Sequence, residues 1–207
     1  MNPHLIHLTT RYPELEACLP DIARAFDLLC DTFDDGGKLL ICGNGGSAAD
    51  SDHIVGELMK GFEKPRPIDV TTRDSLAAIG AGDLADHLQG ALPAISLSAH
   101  AALMTAYIND VAADAVYAQQ VYGYGRPGDA LLAISTSGNS RNVLNAARVA
   151  TVRGLRTIGL TGATGGALHD LCDVTICVPY TRTTEVQERH LPVYHALCLM
   201  LEERYFA

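Results

Sequence analysis

One plan occurs three times along the chain, and it constrains the fold more than any other feature. A turn leads into a short apolar run, a loop of small polar residues follows, and a helical pattern then begins. The copies are GGKLLICGNGGS at 36–47, PGDALLAISTSGNS at 127–140 and, more weakly, GLRTIGLTGATGG at 154–166. Each copy places small residues between the carboxyl end of a strand and a helix start, which is where open α/β sheets bind ligands.

The rest of the chain continues this alternation of strand and helix. Short, nearly continuous apolar runs, typical of strands buried on both faces of a parallel sheet, lie at 38–42, 92–97, 130–135, 156–160 and 173–178. Helical periodicity separates them at 13–35 (interrupted by Pro20), 47–62, 99–122 in pieces, 140–153 and 183–206. The pattern predicts a layered α/β fold with a parallel sheet, in one domain spanning 1–207. Residues 1–12 show no clear pattern and are expected to be partly loose.

Composition excludes several classes of partner. The 207 residues are 48% hydrophobic and carry a formal net charge of -9, with a pI of about 5.2. A surface for nucleic acid or anionic membranes is therefore not expected. No apolar stretch reaches the roughly 18 residues that a membrane span needs. Six cysteines without a ligand spacing, and no signal-peptide pattern, predict a protein of the reducing cytoplasm.

The segment 63–91 departs from the alternation. It begins with a proline-rich turn and continues with a short helical pattern. Two interpretations stay open: an inserted segment or lid over a site, and a surface helix that only packs.

The loop STSGNS indicates a phosphate site. Four hydroxyl residues stand directly before a helix, namely Ser135, Thr136, Ser137 and Ser140. A helix start presents unpaired backbone N–H groups and a partial positive charge, so it binds phosphate without Lys or Arg. An N-cap alone needs just one such residue, and four together favour a ligand.

The glycine-rich loop GNGGSA at 43–48 has two interpretations. It satisfies the dinucleotide fingerprint, and Asp69 stands near the position of the acidic residue that binds the ribose. Pro65 and Pro67, however, interrupt the place where the required second strand would form. Two small-residue loops on neighbouring strand ends fit one short ligand better than a long dinucleotide.

Two helices carry the candidate chemical groups. His53 and Glu57 are four residues apart, so on a helix they share a face with Cβ atoms roughly 5–6 Å apart. An imidazole and a carboxylate at this spacing suit a metal or a substrate, although such pairs are also common on surfaces. Gln187 and His195 lie eight residues apart, roughly 12 Å along a continuous helix. They reach one ion only if the helix starts late or kinks, for which Pro192 is suited, or if two subunits contribute.

Together, CGNGGSAADSDH with the following GE, ISTSGNS and QERHLPVYH resemble the motifs of the sugar isomerase (SIS) domain family, and its phosphoheptose isomerases in particular. The resemblance covers the chain from about residue 13 to its end. It implies a three-layer αβα fold of the flavodoxin and Rossmann type, with a five-stranded parallel sheet. It also implies a homotetramer with active sites at subunit interfaces. The segment around 69–90 is longer than the family pattern leads us to expect.

Carried over position by position, the resemblance implies a role for each motif residue. It implies sugar contacts from Asn44, Gly45, Gly46, Ser47, Asn109 and Asp110. It implies phosphate contacts from Ser135, Thr136, Ser137 and Ser140. It implies a zinc site of His53, Glu57, Gln187 and His195, in which Glu57 and Gln187 also contact the substrate. Glu57 and His195 are the implied acid–base pair.

The implied reaction converts sedoheptulose 7-phosphate to D-glycero-D-manno-heptose 7-phosphate through an enediol or enediolate, as a step of heptose biosynthesis. A second hypothesis is a non-catalytic SIS protein that binds phosphosugars or the bacterial replication initiator. Such relatives lack the catalytic Glu and His, so the presence of Glu57 and His195 favours the enzyme. A dinucleotide-dependent oxidoreductase is the third hypothesis.

Overall fold

The computed structural model of the chain describes residues 2–206, so both ends of the predicted domain 1–207 lie outside the described residues. Its strands are β1 Leu39–Cys42, β2 Ala94–Ser96, β3 Ala130–Ile134, β4 Arg156–Thr161 and β5 Val174–Cys177. They form one parallel sheet in the order β2-β1-β3-β4-β5. The five predicted strands and the predicted α/β fold class are confirmed.

Helices flank this sheet on both faces. They are α1 Pro3–Arg11, α2 Leu19–Asp34, α3 Gly46–Met59, α4 Val70–Ala78, α5 Ala101–Asp110, α6 Val116–Tyr124, α7 Arg141–Val152, α8 Gly166–His169 and α9 Thr183–Tyr205. Short 3-10 helices occur at Pro13–Cys18, Gly82–Asp86 and Ala113–Ala115. Within residues 2–206, none of the helices combines the length and apolar character needed to cross a membrane.

The two hydrophobic cores follow from the two-residue period of the strands. In β1, Leu39 and Ile41 face the core that α1, α2, α3 and α9 share, whereas Leu40 and Cys42 face the core of α6 and α7. Successive side chains of a strand point to opposite faces, so an apolar run without polar positions is buried on both sides. This explains why the strand-forming runs are so nearly continuous.

The amino-terminal residues differ from their prediction. Residues 3–11 are not loose but form α1, because the Asn2 side chain accepts a hydrogen bond from the His4 N–H (2.9 Å) and Pro3 occupies the first turn. Leu5 and Leu8 pack into the core. Pro20 likewise does not interrupt a helix: it lies in the first turn of α2, where its missing N–H costs no hydrogen bond.

The segment 63–91 is a lobe outside the two cores. Its helix α4 has no buried residue, and Val70 and Ile79 are exposed. The base of the lobe is closed by an antiparallel bridge between Pro67 and Gln89 and by a hydrogen bond from the Gly90 N–H to the Arg66 carbonyl (2.7 Å). Its role as a lid stays a prediction.

Candidate active site

The loop between β1 and α3 lies at the carboxyl edge of the sheet. Gly45 has a φ of +57°, a left-handed conformation that glycine adopts without strain. Asn44 exchanges two side-chain hydrogen bonds with Asn142 in the first turn of α7, both 2.9 Å long. This reciprocal pair joins the first loop to the helix that follows the serine-rich loop.

Helix α9 packs so close to the start of α3 that position 46 has no room for a side chain. A Cβ atom on Gly46 would lie 2.5 Å from Nε2 of Gln187, so the amide of Gln187 rests against the bare backbone of this turn. Ser47 is buried, and its backbone carbonyl accepts a hydrogen bond from the Ser51 hydroxyl (2.8 Å). Gln187 thus belongs spatially to the carboxyl-edge loop.

The start of the helix that follows the serine-rich loop is only partly capped: the Val143 N–H donates to the Asn142 side chain (3.0 Å). Ser140 is the N-cap residue of α7, yet within the described chain its side chain makes no capping hydrogen bond to that helix. The Ser140 hydroxyl instead accepts from the buried Ser135 hydroxyl (3.0 Å). The Ser137 hydroxyl accepts from the Asn139 N–H (3.2 Å), and Thr136 is half-buried beside them. The arrangement differs from an ordinary N-cap and suits an anion held by hydroxyls and helix N–H groups.

Asn109 and Asp110 lie on a different element. Both are exposed at the end of α5, where the Asn109 amide donates to the Asp110 carboxylate (2.8 Å). None of residues 101–110 is buried. Their contact with the substrate stays a prediction. Because this helix is exposed, the contact requires the substrate to bind at its surface or a second copy of the chain to form a site there.

His53, Glu57 and His195 form a cluster further along α3 and α9. Nε2 of His53 lies 3.1 Å from Oε1 of Glu57, whose side chain is only 12% exposed. The rings of His53 and His195 are 5.1 Å apart between centroids and nearly perpendicular. The Nε2 atom of His195 is buried and has no hydrogen-bond partner within residues 2–206. Burial lowers the pKa of His195, as does nearby His53, while Glu57 opposes the shift.

Tyr194 orients this cluster, and the sequence analysis did not identify it. Its hydroxyl donates to the Asp50 carboxylate (3.2 Å) and lies 3.0 Å from Nδ1 of His53. Because an ionised carboxylate only accepts, the tyrosine proton points to Asp50 and Nδ1 of His53 must carry the proton. Nε2 of His53 then presents a lone pair to Glu57, and two facing acceptors require a proton or a cation between them.

The donor set fits zinc in type, but one chain does not assemble it. Two imidazoles and a carboxylate are preferred zinc ligands, and the unpartnered Nε2 of His195 is an atom that an ion would satisfy. Among residues 2–206, however, no group of three or more His, Cys, Asp or Glu side chains is arranged to hold a metal ion. The helix α9 is continuous through Pro192, so it does not start late, and Gln187 remains beside Gly46.

The serine-rich loop lies at the carboxyl ends of the strands, whereas the histidine cluster lies toward their amino ends. Helix α3 starts just after the carboxyl end of β1, and the Leu58 carbonyl near its other end accepts from the Leu92 N–H, just before β2 begins. Gly46 and Glu57 are eleven residues apart, which is about 16 Å along a helix. Within one chain, therefore, the predicted phosphate-binding residues and the predicted acid–base pair do not face each other.

The acidic residue of the dinucleotide interpretation has a structural role. Asp69 caps α4, accepting from the Thr72 N–H (2.9 Å) and from the Thr72 hydroxyl (2.7 Å). The strand after β1 is β2, which starts only at Ala94. Asp69 therefore does not end a second strand, and the dinucleotide interpretation loses its support.

Comparison with known proteins identifies the family of the chain and agrees with its fold. The SIS domain model matches residues 11–73 and 75–162. A phosphoheptose isomerase of Rhodospirillum rubrum is 39% identical over 186 residues, covering 90% of this chain and 87% of the relative. Solved phosphoheptose isomerases from Neisseria gonorrhoeae and Francisella tularensis superpose with TM-scores of 0.76 and 0.78, at 32% and 30% identity. They cover 97% and 96% of this chain, which in turn covers 95% and 92% of theirs. The chain therefore belongs to the SIS domain family and, within it, to the phosphoheptose isomerases.

Proposed function

We propose that this isomerase converts sedoheptulose 7-phosphate to D-glycero-D-manno-heptose 7-phosphate, as a step of heptose biosynthesis. The observation that carries the proposal is the cluster of Glu57 with His53 and His195. It combines a shielded carboxylate with an imidazole nitrogen that has no partner in the described part of the chain. Aldose–ketose isomerisation needs such a pair, because one group must move a carbon-bound proton and another must move oxygen-bound protons.

Glu57 is the proposed base. It takes a proton from C1 of the ketose. The C–H electron pair forms the C1–C2 double bond of an enediol or enediolate, and the π pair of the C2 carbonyl moves onto O2. The same carboxyl returns the proton to C2, while His195 carries a proton from O1 to O2. Burial lowers the pKa of His195, so the imidazole is neutral near pH 7 and is able to accept a proton.

Zinc is the proposed cofactor, held by His53, Glu57 and His195 together with Gln187. When bound, zinc would polarise the substrate oxygens and stabilise the negative charge of an enediolate. Tyr194 keeps Nε2 of His53 directed toward that position by fixing the proton on Nδ1. Glu57 then serves both the ion and the substrate, which requires its carboxylate to bind the ion loosely.

The phosphate of the substrate is proposed to bind Ser135, Thr136, Ser137 and Ser140. The path from C1 to the phosphorus of a heptose 7-phosphate has eight bonds of about 1.5 Å, which span about 10 Å when the zigzag chain is fully extended. This is shorter than the length of α3 that separates the loop after β1 from Glu57, about 16 Å. We therefore propose that a second copy completes each site, in a homotetramer with interfacial active sites. The same arrangement would let Gln187 of one copy approach the histidines of another.

The reaction is assigned to the cytoplasm. All six cysteines are free thiols, and Cys18, Cys42 and Cys198 are buried, as is usual in a reducing compartment.

The proposed function is tested by turnover of sedoheptulose 7-phosphate. We expect the wild-type protein to form the aldose, a chelator to abolish turnover, and Glu57→Gln to lower kcat by about a thousandfold, as loss of a general base does. Glu188→Gln, on the exposed side of α9, is the matched control and should keep full activity. Full turnover by Glu57→Gln would refute the assignment of the base.

A further inference from the structure

A buried arginine holds the end of the helix that carries Glu57. The Arg66 side chain is 0% exposed, and its Nε donates to Oε1 of Glu202 (2.8 Å), which is itself 2% exposed. Its two other nitrogens donate to backbone carbonyls in the last turn of α3: Nη1 to Leu58 (2.8 Å) and Nη2 to Glu57 (3.0 Å). One guanidinium thus binds a carboxylate from α9 and two main-chain oxygens of α3.

The position of this charge follows from helix electrostatics. The last carbonyls of a helix lack intrahelical donors and carry partial negative charge, so a cation there satisfies them and favours the dipole. A planar, multi-donor guanidinium reaches two carbonyls and a carboxylate at once, which an ammonium group does not. Phe206 covers the guanidinium, with the carbon of the group 4.6 Å from the ring centroid.

The same ion pair fixes the chain that follows α3. Glu202 also accepts from the Phe62 N–H (2.8 Å) and the Glu63 N–H (2.9 Å). The Arg66 carbonyl accepts from the Gly90 N–H, which closes the base of the exposed lobe. The end of α3, the end of α9 and the base of the lobe therefore meet at one residue.

We propose that Arg66 is a positioning residue for Glu57. It acts through the main chain of Glu57, from which the carboxylate extends to within 3.1 Å of Nε2 of His53. Proton transfer between carbon and a carboxylate depends on placement to within about 0.5 Å, so a loosened helix end reduces the rate even when the fold persists. The inference rests on the proposed role of Glu57 as the base.

The experiment removes the buried ion pair without leaving a lone buried charge. In the double variant Arg66→Met, Glu202→Gln, the uncharged amide oxygen still accepts from the backbone at 62 or 63, whereas the carbonyls of Glu57 and Leu58 lose the guanidinium. We expect kcat for sedoheptulose 7-phosphate to fall about tenfold or more, with KM changed by less than about threefold. The imidazole nitrogen NMR signals of His53 should shift as well.

Two further variants separate positioning from stability. Lys38→Met breaks another, partly buried ion pair, with Asp129 at the start of β1 (2.6 Å), and should lower the unfolding temperature while leaving kcat and the His53 signals unchanged. Arg66→Lys keeps the charge and a donor, so it should recover part of kcat, and it remains measurable if the double variant does not fold.

The outcomes are distinguishable. A folded double variant with wild-type kcat and unshifted His53 signals would overturn the role of Arg66, as would an equal loss of kcat in Lys38→Met. If wild-type protein does not isomerise the heptose phosphate, the proposed function fails instead. The His53 signals of the Arg66 variants then decide the positioning role by themselves.

Discussion

Replacing Gly138 by alanine should destabilise the serine-rich loop by more than the conformational cost of a left-handed alanine. Gly138 has a φ of +66°, and a Cβ atom there would lie 1.9 Å from the carbonyl oxygen of Gly165. The oxygen is a main-chain atom and the Cβ is bonded directly to the main chain, so no side-chain rotation relieves the contact. The two loops must separate by about 1 Å to reach the closest approach that Cβ atoms tolerate.

The size of the effect follows from two separate contributions. A left-handed conformation costs a non-glycine residue roughly 1–2 kcal/mol, partly offset by the reduced freedom of the unfolded chain. Forced separation of packed main chain adds about 1–3 kcal/mol, the usual range for overpacking. We therefore expect Gly138→Ala to lower the free energy of unfolding by about 2–5 kcal/mol.

Gly36→Ala is the matched control for this prediction. Gly36 has a φ of +73°, but no atom of residues 2–206 lies within 4 Å of the Cβ that alanine would add. The variant therefore reports the conformational contribution alone, about 1 kcal/mol. Urea unfolding measures both variants, and steady-state kinetics should show a raised KM for the sugar phosphate in Gly138→Ala only. If the two variants unfold with the same free energy and bind substrate equally well, the steric reasoning is refuted.

Three further predictions concern single side chains. Tyr194→Phe should weaken zinc binding about tenfold or more, measured by competition with a chelating dye, because His53 loses the partner that fixes its tautomer; unchanged affinity would contradict this. Burial lowers the pKa of His190 from its ordinary 6.5 to about 4. Between pH 6.5 and pH 4 only the unfolded state gains the proton, so the free energy of unfolding should fall by up to about 3 kcal/mol as the pH drops through this range. Urea unfolding of His190→Leu should lack that loss, and an identical pH dependence would refute the cause. Ser140→Ala should raise KM for the sugar phosphate about tenfold or more with kcat little changed, because one hydrogen bond to a charged phosphate is lost, and an unaltered KM would argue against the phosphate site.

The local features of the fold were predictable because they depend on neighbouring residues. Apolar runs such as Leu39–Cys42 indicated strands, and the small residues after them indicated ligand loops at the carboxyl edge. Residues 3–11 were not recognised, because the helix depends on a cap by Asn2 and on packing of Leu5 and Leu8 against distant elements. The spacing of Asp50 and His53, one helical turn apart, was a signal that could have indicated the Tyr194 network.

The sequence by itself determined which chemical groups the protein has and on which elements they lie: hydroxyls before a helix start, a carboxylate and an imidazole four residues apart, and a glutamine and a histidine eight residues apart. Only the tertiary structure decided which of these groups meet. It gathers His53, Glu57 and His195 toward the amino ends of the strands, whereas the serine-rich loop lies at their carboxyl ends. It also buries Arg66 against Glu202, 136 residues away. Contacts of this kind depend on the path of the whole chain through space, which the local pattern of residues does not encode.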